Sequence, residues 1–155
     1  MKNKKWIIYV IASVVVIIDQ IVKLVVKNTM DLYQIIIVIP NFFNFTYIKN
    51  TGAAFSFMKD KLSLLIIIGA ICLGSLIYYI HKENNFNSLT IISIGIILGG
   101  VIGNFIDRIF CHGVIDYLSF KIFGYNFPIF NIADIGITVG IILFIIEVLF
   151  VEKGR

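Results

Sequence analysis

Four long apolar stretches dominate this chain and restrict the folds open to it. They cover residues 6–26, 62–80, 86–109 and 128–148, and the second contains no charged side chain. A helix needs roughly 20 residues to cross the hydrocarbon core of a bilayer, because each residue adds only about 1.5 Å. The sequence therefore predicts a single membrane domain over residues 1–155, built on a bundle of four transmembrane helices.

The composition supports a membrane protein and excludes other classes. The chain is 59% hydrophobic, whereas soluble domains are about 45–50% apolar. Its net charge is +4, and its lysines are scattered rather than arranged in a basic stripe, so nucleic acid is not an expected partner. Basic ends beside apolar segments are typical of contact with anionic lipid. Two cysteines, Cys72 and Cys111, make no metal framework, and neither a metal nor a cofactor is expected.

The basic N-terminus predicts the orientation of the bundle. Residues 1–5 include three lysines and precede an apolar run, as in a signal peptide, but no small-residue cleavage site closes that run. An uncleaved first helix is therefore expected, with the lysines in the cytoplasm. Four spans then return the C-terminus to the cytoplasm.

Two of the connecting segments carry patterns of their own. Large aromatic and small polar residues alternate over 43–47, which indicates a half-buried strand, and we expect a small extracytoplasmic β-sheet over residues 35–58. Residues 117–125 are expected to form a short interfacial helix anchored by Tyr117, Phe120 and Phe123. The predicted fold class is thus an all-α, four-helix membrane bundle with a small sheet and one interfacial helix.

Nearly all polar residues of the predicted spans fall at one depth, near the extracytoplasmic side. A carboxylate near hydrocarbon costs several kcal/mol unless it is paired, hydrated or used. Polar residues present for unrelated structural reasons would be distributed over both leaflets. We therefore predict one polar site made of the following residues: Asp19, Lys23, Asn50, Asn104, Asp107, Arg108, Asp116, Asn131 and Asp134.

Several of these residues also have simpler explanations. Asp19 and Lys23 stand four residues apart and can form an ion pair on one helix face, either as a self-neutralising pair or as part of a site. Asp107 is expected to pair with a nearby base. Arg108 can reach lipid headgroups, or it can orient a carboxylate or a substrate carbonyl. Asn131 can cap the fourth helix or, as we favour, bind the substrate backbone.

The chemistry open to these residues centres on the two acids Asp116 and Asp134. The only two histidines are far apart and form no metalloprotease motif. Two carboxyl groups within a few Å of each other share one proton, because both cannot ionise together. The ionised member can take a proton from water while the protonated member polarises a carbonyl. The pair therefore predicts an aspartic peptidase that needs no cofactor.

Two other classes remain open from the residues alone. A small proton-coupled transporter or channel subunit would use the acids as a relay, but a relay should place acids through the whole bilayer depth. The inner half of the predicted bundle offers only Glu147. A scaffold protein would use the same polar groups only to lock helices together.

Five motifs carry a resemblance to the bacterial lipoprotein signal peptidases, the signal peptidase II family. They are DQIVK at 19–23, NTGAAFS at 50–56, GGVIGNFIDRI at 99–109, VIDY at 114–117 and FNIAD at 130–134. The chain resembles the family in the order, spacing and overall length of these motifs.

The resemblance implies an aspartic endopeptidase of the bacterial cell membrane, acting at the extracytoplasmic face. It implies cleavage of diacylglyceryl-modified prolipoproteins just before the lipidated cysteine, inhibition by globomycin, and Asp116 and Asp134 as the catalytic pair. Partners would be the prolipoprotein and membrane lipids, and the protein is expected to be a monomer. Substrate-binding residues would be Asp19, Lys23, Asn50, Gly52, Asn104, Arg108, Asn131 and Ala133.

Overall fold

The computed structural model describes residues 4–52 and 61–151. Its helices are α1 (Lys5–Thr29), α2 (Leu62–Lys82), α3 (Ser88–Phe110) and α4 (Ile132–Ile146), and a π-helical segment, Glu147–Val151, continues α4. Each of α1, α2 and α3, and α4 together with its extension, is long and apolar enough to cross a membrane. The predicted four-helix bundle is confirmed.

Helix α3 lies at the centre of the bundle and packs against each of the other three helices. Glycines on α3 allow close approach to α1. A Cβ on Gly99 would lie 2.6 Å from the Cβ of Val15, and one on Gly103 would lie 2.5 Å from Oδ2 of Asp19. The main apolar core therefore forms where α1, α2 and α3 meet, around the buried residues Ile8, Ile80, Ile94 and Leu98.

Asparagine caps set the starts of α3 and α4, and both helices begin later than the apolar runs predicted. The Asn87 side chain accepts a hydrogen bond from the Thr90 N–H at 2.8 Å, so α3 begins at Ser88 rather than at 86. Asn131 caps α4 in the same way, so this helix begins at Ile132 rather than at 128. Residues 128–130 instead run beside the sheet, where Phe130 forms an antiparallel bridge.

A four-stranded antiparallel sheet lies at the α3 C-terminal end of the bundle. Its strands are ordered β1 (Ile35–Ile39), β2 (Phe43–Asn50), β3 (Val114–Ile122) and β4 (Tyr125–Asn126). Strands β1 and β2 supply the sheet expected over 35–58, while 53–58 lie outside the described residues. A second apolar cluster joins the sheet to the end of α1 through Val26, Met30, Ile115 and Tyr117.

The interfacial helix expected over residues 117–125 is wrong, because these residues form β3, a turn and β4. The aromatic spacing 117, 120, 123 indicated one helical face, but the segment is rich in residues that favour strands and has β2 as a partner. Tyr117 is also no membrane anchor: it is 1% exposed, and its hydroxyl accepts the Ile132 N–H at 3.3 Å.

Candidate active site

A cavity of about 570 Å³ opens where the sheet meets the ends of α3 and α4. Its polar lining comes from separate elements: Asn50 ends β2, Asp116 lies on β3, and Asp134 lies in the first turn of α4. Asn104 and Arg108, one turn apart on α3, complete the polar part. The fold thus brings both predicted catalytic acids to one cavity.

Asn131 connects the two acids through three of its groups. Its side-chain oxygen accepts the Asp134 N–H at 2.9 Å, and its own N–H donates to Oδ2 of Asp134 at 3.2 Å, which forms a capping box. Its Nδ2 donates to Oδ1 of Asp116 at 2.7 Å. The residue is fully buried and does cap the helix, whereas the sequence favoured contact with the substrate backbone.

Asn104 holds Asp134 from the other side. Its Nδ2 donates to Oδ1 of Asp134 at 2.7 Å. Its Oδ1 accepts from the Lys23 ammonium and from the Asn131 Nδ2, each at 3.1 Å. Because the amide oxygen is held by two donors, the amide nitrogen is aimed at Asp134, and the orientation of this carboxyl group is fixed.

Asp116 is almost completely buried and is held by two amides. Nδ2 of Asn50 donates to its Oδ2 at 3.0 Å, and Asn131 donates to its Oδ1. Burial, followed by the nearby charge of Asp134, raises the pKa of Asp116 to about 7, although both amide hydrogen bonds oppose the shift. Near neutral pH this carboxyl group therefore exchanges a proton readily.

Behind the cavity, Lys23 forms a buried ion cluster with two further acids. Its ammonium lies 2.8 Å from Asp19 and 2.8 Å from Asp107, so the predicted pairing of Asp107 with a nearby base is confirmed. Asp19 also accepts the Ala133 N–H at 3.0 Å, and Asp107 accepts the Ile115 N–H at 3.1 Å. The cluster therefore ties α1 and α3 to the backbone beside both cavity acids.

The residues predicted as catalytic or substrate-binding thus divide into two groups. Asn50, Asn104, Arg108, Asp116 and Asp134 line the cavity. The other five are buried behind it or beside it: Asp19, Lys23, Gly52, Asn131 and Ala133.

Gln20 also contributes to the buried ion cluster, although no role was predicted for it from the sequence. Its Nε2 lies within hydrogen-bond distance of Oδ2 of Asp19, the Gly103 carbonyl and Oδ1 of Asp107. An amide beside an acid within a transmembrane helix was the available signal.

Arg108 turns toward the cavity. Its Nη1 donates to the Asn104 carbonyl at 3.2 Å, while its buried Nε has no hydrogen-bond partner among residues 4–52 and 61–151. A buried donor without a partner carries a free-energy cost that a bound acceptor would remove. Within residues 4–52 and 61–151, no group of three or more His, Cys, Asp or Glu side chains is arranged to hold a metal ion.

Solved structures match this fold along nearly its whole length. A bacterial membrane enzyme solved by the in meso method at 2.3 Å has a TM-score of 0.86 and 40% identity, covering 94% of this chain and 89% of that one. A second bacterial membrane enzyme, solved at 1.9 Å, has a TM-score of 0.81 and 41% identity, covering 91% of each chain.

Sequence comparison gives the family. The lipoprotein signal peptidases of Staphylococcus aureus strains JH9, Newman and Mu50 are each 42% identical over 139 residues, which is 90% of this chain and 85% of theirs. The family model described as signal peptidase (SPase) II matches residues 11–150. The chain is therefore a multi-pass membrane peptidase that belongs to the signal peptidase II family.

Proposed function

We propose that this peptidase removes signal peptides from diacylglyceryl-modified prolipoproteins, cutting before the lipidated cysteine with Asp116 and Asp134 as its catalytic pair. The observation that carries the proposal is the convergence of these two acids, from β3 and α4, on one cavity through a shared asparagine. The lipoprotein signal peptidases that this chain resembles support the substrate class.

The geometry supports a shared-proton mechanism. The ionised carboxyl group takes a proton from a water molecule, and the resulting hydroxide adds to the scissile carbonyl carbon. The protonated carboxyl group donates to the carbonyl oxygen, and a proton is then returned to the leaving nitrogen as the C–N bond breaks. The Arg108 Nε, which has no hydrogen-bond partner within the described part of the chain, can donate a hydrogen bond to a substrate carbonyl.

The apolar side of the cavity suits a lipid-bearing substrate. Beyond the acids, the lining continues along α4 with Ile135 and Val139, both exposed. Burial of an acyl chain contributes about 0.8 kcal/mol per CH₂ group, so a groove open to the membrane gains affinity without polar contacts. We further propose that the site lies at the extracytoplasmic face of the bacterial cell membrane, with both termini in the cytoplasm.

Processing of a lipidated precursor by the purified protein tests the proposal directly. A diacylglyceryl-modified prolipoprotein should be cut on the N-terminal side of its modified cysteine, and mass spectrometry of both products locates the bond. The same precursor with an unmodified cysteine is the control, and it should be a poor substrate. Equal cleavage of both precursors, or cleavage elsewhere, would contradict the assigned specificity.

The raised pKa of Asp116 predicts how the rate depends on pH. Burial favours the protonated carboxyl group, so the shared proton is present below about pH 7 and is lost as the pH rises through the pKa. We expect kcat/KM to fall on the alkaline side of about pH 7.

Asn50→Ala should move this alkaline limb to higher pH, because the Asn50 hydrogen bond lowers the pKa of Asp116. Full pH–rate profiles of the two proteins give the measurement. A limb that stays in place, or moves to lower pH, would mean that Asp116 does not carry the shared proton.

The main chain at Ile129 offers a second contact for the substrate. Four consecutive residues, 127–130, line the cavity; since neighbouring side chains of an extended segment point to opposite sides, the backbone itself faces the opening. Phe130 directs its N–H and C=O to β3, and in an extended segment the N–H of the preceding residue points to the opposite side. The Ile129 N–H has no hydrogen-bond partner among the described residues, which supports pairing with an extended substrate.

Ile129→Pro should therefore lower kcat/KM by about tenfold, the effect of losing one net hydrogen bond of about 1.4 kcal/mol. Ile129 is not among the residues with positive φ, a region closed to proline, and thermal unfolding shows whether the variant keeps its fold. Ile129→Ala, which shortens the side chain but keeps the N–H, is the matched control. Comparable rates for the two variants would show that substrate does not use this donor.

A further inference from the structure

Strand β1 exposes five apolar side chains in a row. Ile35, Ile36, Ile37, Val38 and Ile39 are between 43% and 67% exposed. The strand also forms one edge of the sheet. In water, an exposed apolar edge strand is a site of aggregation, so the surroundings of β1 need a physical explanation.

The two faces of β2 and β3 differ in their outer part, away from the helices. On one face, Phe45 pairs with Leu118, and this face is apolar there. The other face is apolar where Ile115 and Tyr117 pack against the end of α1. Its outer part, the polar face, pairs Asn44 with Ser119.

Strand β1 departs from this division. Ile36 pairs with Phe45 and continues the apolar face, but Ile37 pairs with Asn44 and places a large apolar side chain on the polar face. Only an environment that is apolar on both sides suits such an edge. We propose that β1 is immersed in the lipid at the boundary between acyl chains and headgroups, while β2 and β3 contact lipid on one face only.

The surface of α1 leads directly to this strand. The last two turns of α1 expose Ile21, Leu24 and Val25, the kind of surface that a spanning helix presents to acyl chains. Leu32 and Tyr33 are exposed in the short connection that follows, and β1 begins at Ile35. Exposed apolar side chains therefore extend from α1 to β1, interrupted by exposed polar residues at 27–29, 31 and 34. Such a mixture suits the boundary between acyl chains and headgroups, which supports lipid as the occupant.

Exposed lysines and the turn between β3 and β4 also support contact between this end of the molecule and lipid. Lys27 and Lys121 are exposed at the same end of the molecule and can approach anionic headgroups. The turn between β3 and β4 holds Phe123 fully exposed with φ 49°, a left-handed conformation that costs about 1 kcal/mol or more for such a residue. An aromatic ring at such a tip, followed by exposed Tyr125, is typical of an interfacial anchor.

Immersion of β1 has a consequence for the cavity. Strand β1 pairs with β2, and β2 pairs with β3 at Ile48 and Asp116. The depth of the edge strand therefore sets the height of Asp116 above the acyl chains, whichever residues carry out the chemistry. The inference is thus independent of the proposed catalytic mechanism.

Fluorescence quenching in proteoliposomes tests the depth of β1. The chain contains one tryptophan, so a Trp6→Phe protein provides a dark background for Ile37→Trp or Ser119→Trp. Positions 37, 44 and 119 form one cross-strand row on the polar face, which makes Ser119→Trp the matched control. Each protein is reconstituted with lipids brominated on the acyl chains and is titrated separately with aqueous acrylamide.

The tryptophan introduced at position 37 should lose most of its emission to the brominated lipid and resist acrylamide. The one at position 119 should behave in the opposite way. Acrylamide quenching at position 37 would put the strand in water, and protection from both quenchers would mean that protein covers it. Either outcome, or lipid quenching at both positions, would overturn the proposal.

Discussion

Asp116→Asn and Asp134→Asn should each lower prolipoprotein cleavage by at least about 1,000-fold, the size expected when a general acid–base group is lost. Asparagine keeps the shape of aspartate but cannot ionise, so the pair no longer holds one proton on two carboxyl groups. Single-turnover cleavage of a lipidated precursor by purified protein gives the measurement. Near-normal cleavage by either variant would exclude the paired-acid mechanism.

The two Asp→Asn variants need a control for folding, because both acids also stabilise the local structure through hydrogen bonds. Asp134 belongs to the capping box of α4 and Asp116 accepts from two asparagines. Thermal unfolding in detergent shows whether each variant keeps its fold. Asp31→Asn changes an exposed acid in the turn before β1, outside the cavity lining, and should leave the rate unchanged.

The transmembrane helices follow from local sequence, because a span needs only length and apolar side chains. The start of α4 does not follow from hydropathy alone. Hydropathy extends the apolar run back to Pro128, yet the helix begins at Ile132 because Asn131 caps it and Phe130 pairs with β3. Tertiary hydrogen bonds thus make α4 start later than the hydropathy of the sequence predicts.

Strand β3 is even harder to predict from local sequence than the start of α4. Its aromatic residues Tyr117 and Phe120 fit a helical spacing, whereas its β-branched and aromatic composition favours a strand, and only the partner strand decides between them. That partner, β2, lies more than sixty residues earlier in the chain. Sequence reasoning could place the polar residues at one depth, but it could not tell which ones face the cavity.

The ion cluster of Lys23, Asp19 and Asp107 illustrates why only the fold separates residues that face the cavity from those buried behind it. The spacing of Asp19 and Lys23 predicts their pairing, which the structure confirms at 2.8 Å. It does not predict that Asp19 accepts the Ala133 N–H, 114 residues away. We therefore infer that the cluster positions the first turn of α4 from behind, while Asn104 and Arg108 face the substrate.

Lys23→Met should lower the free energy of unfolding by about 3–5 kcal/mol, the usual cost of removing one partner from a buried ion pair. Lys23 is 2% exposed, and its loss leaves Asp19 and Asp107 buried without their shared cation. The measurement is unfolding in detergent, followed by intrinsic fluorescence. Lys27→Met, one turn later on α1 and exposed, is the matched control and should change stability little.

A triple variant separates uncompensated charge from lost packing. Adding Asp19→Asn and Asp107→Asn to Lys23→Met removes the two acids that the substitution leaves unpaired, and replacement of a whole buried cluster by neutral groups is often close to neutral in stability. Recovery of most of the lost stability is therefore expected. A triple variant no more stable than Lys23→Met would mean that the lysine contributes through packing, because its charge would then have no measurable partner. Since Asp19 accepts a hydrogen bond from the backbone beside Asp134, cleavage should recover together with stability if the cluster acts by positioning α4.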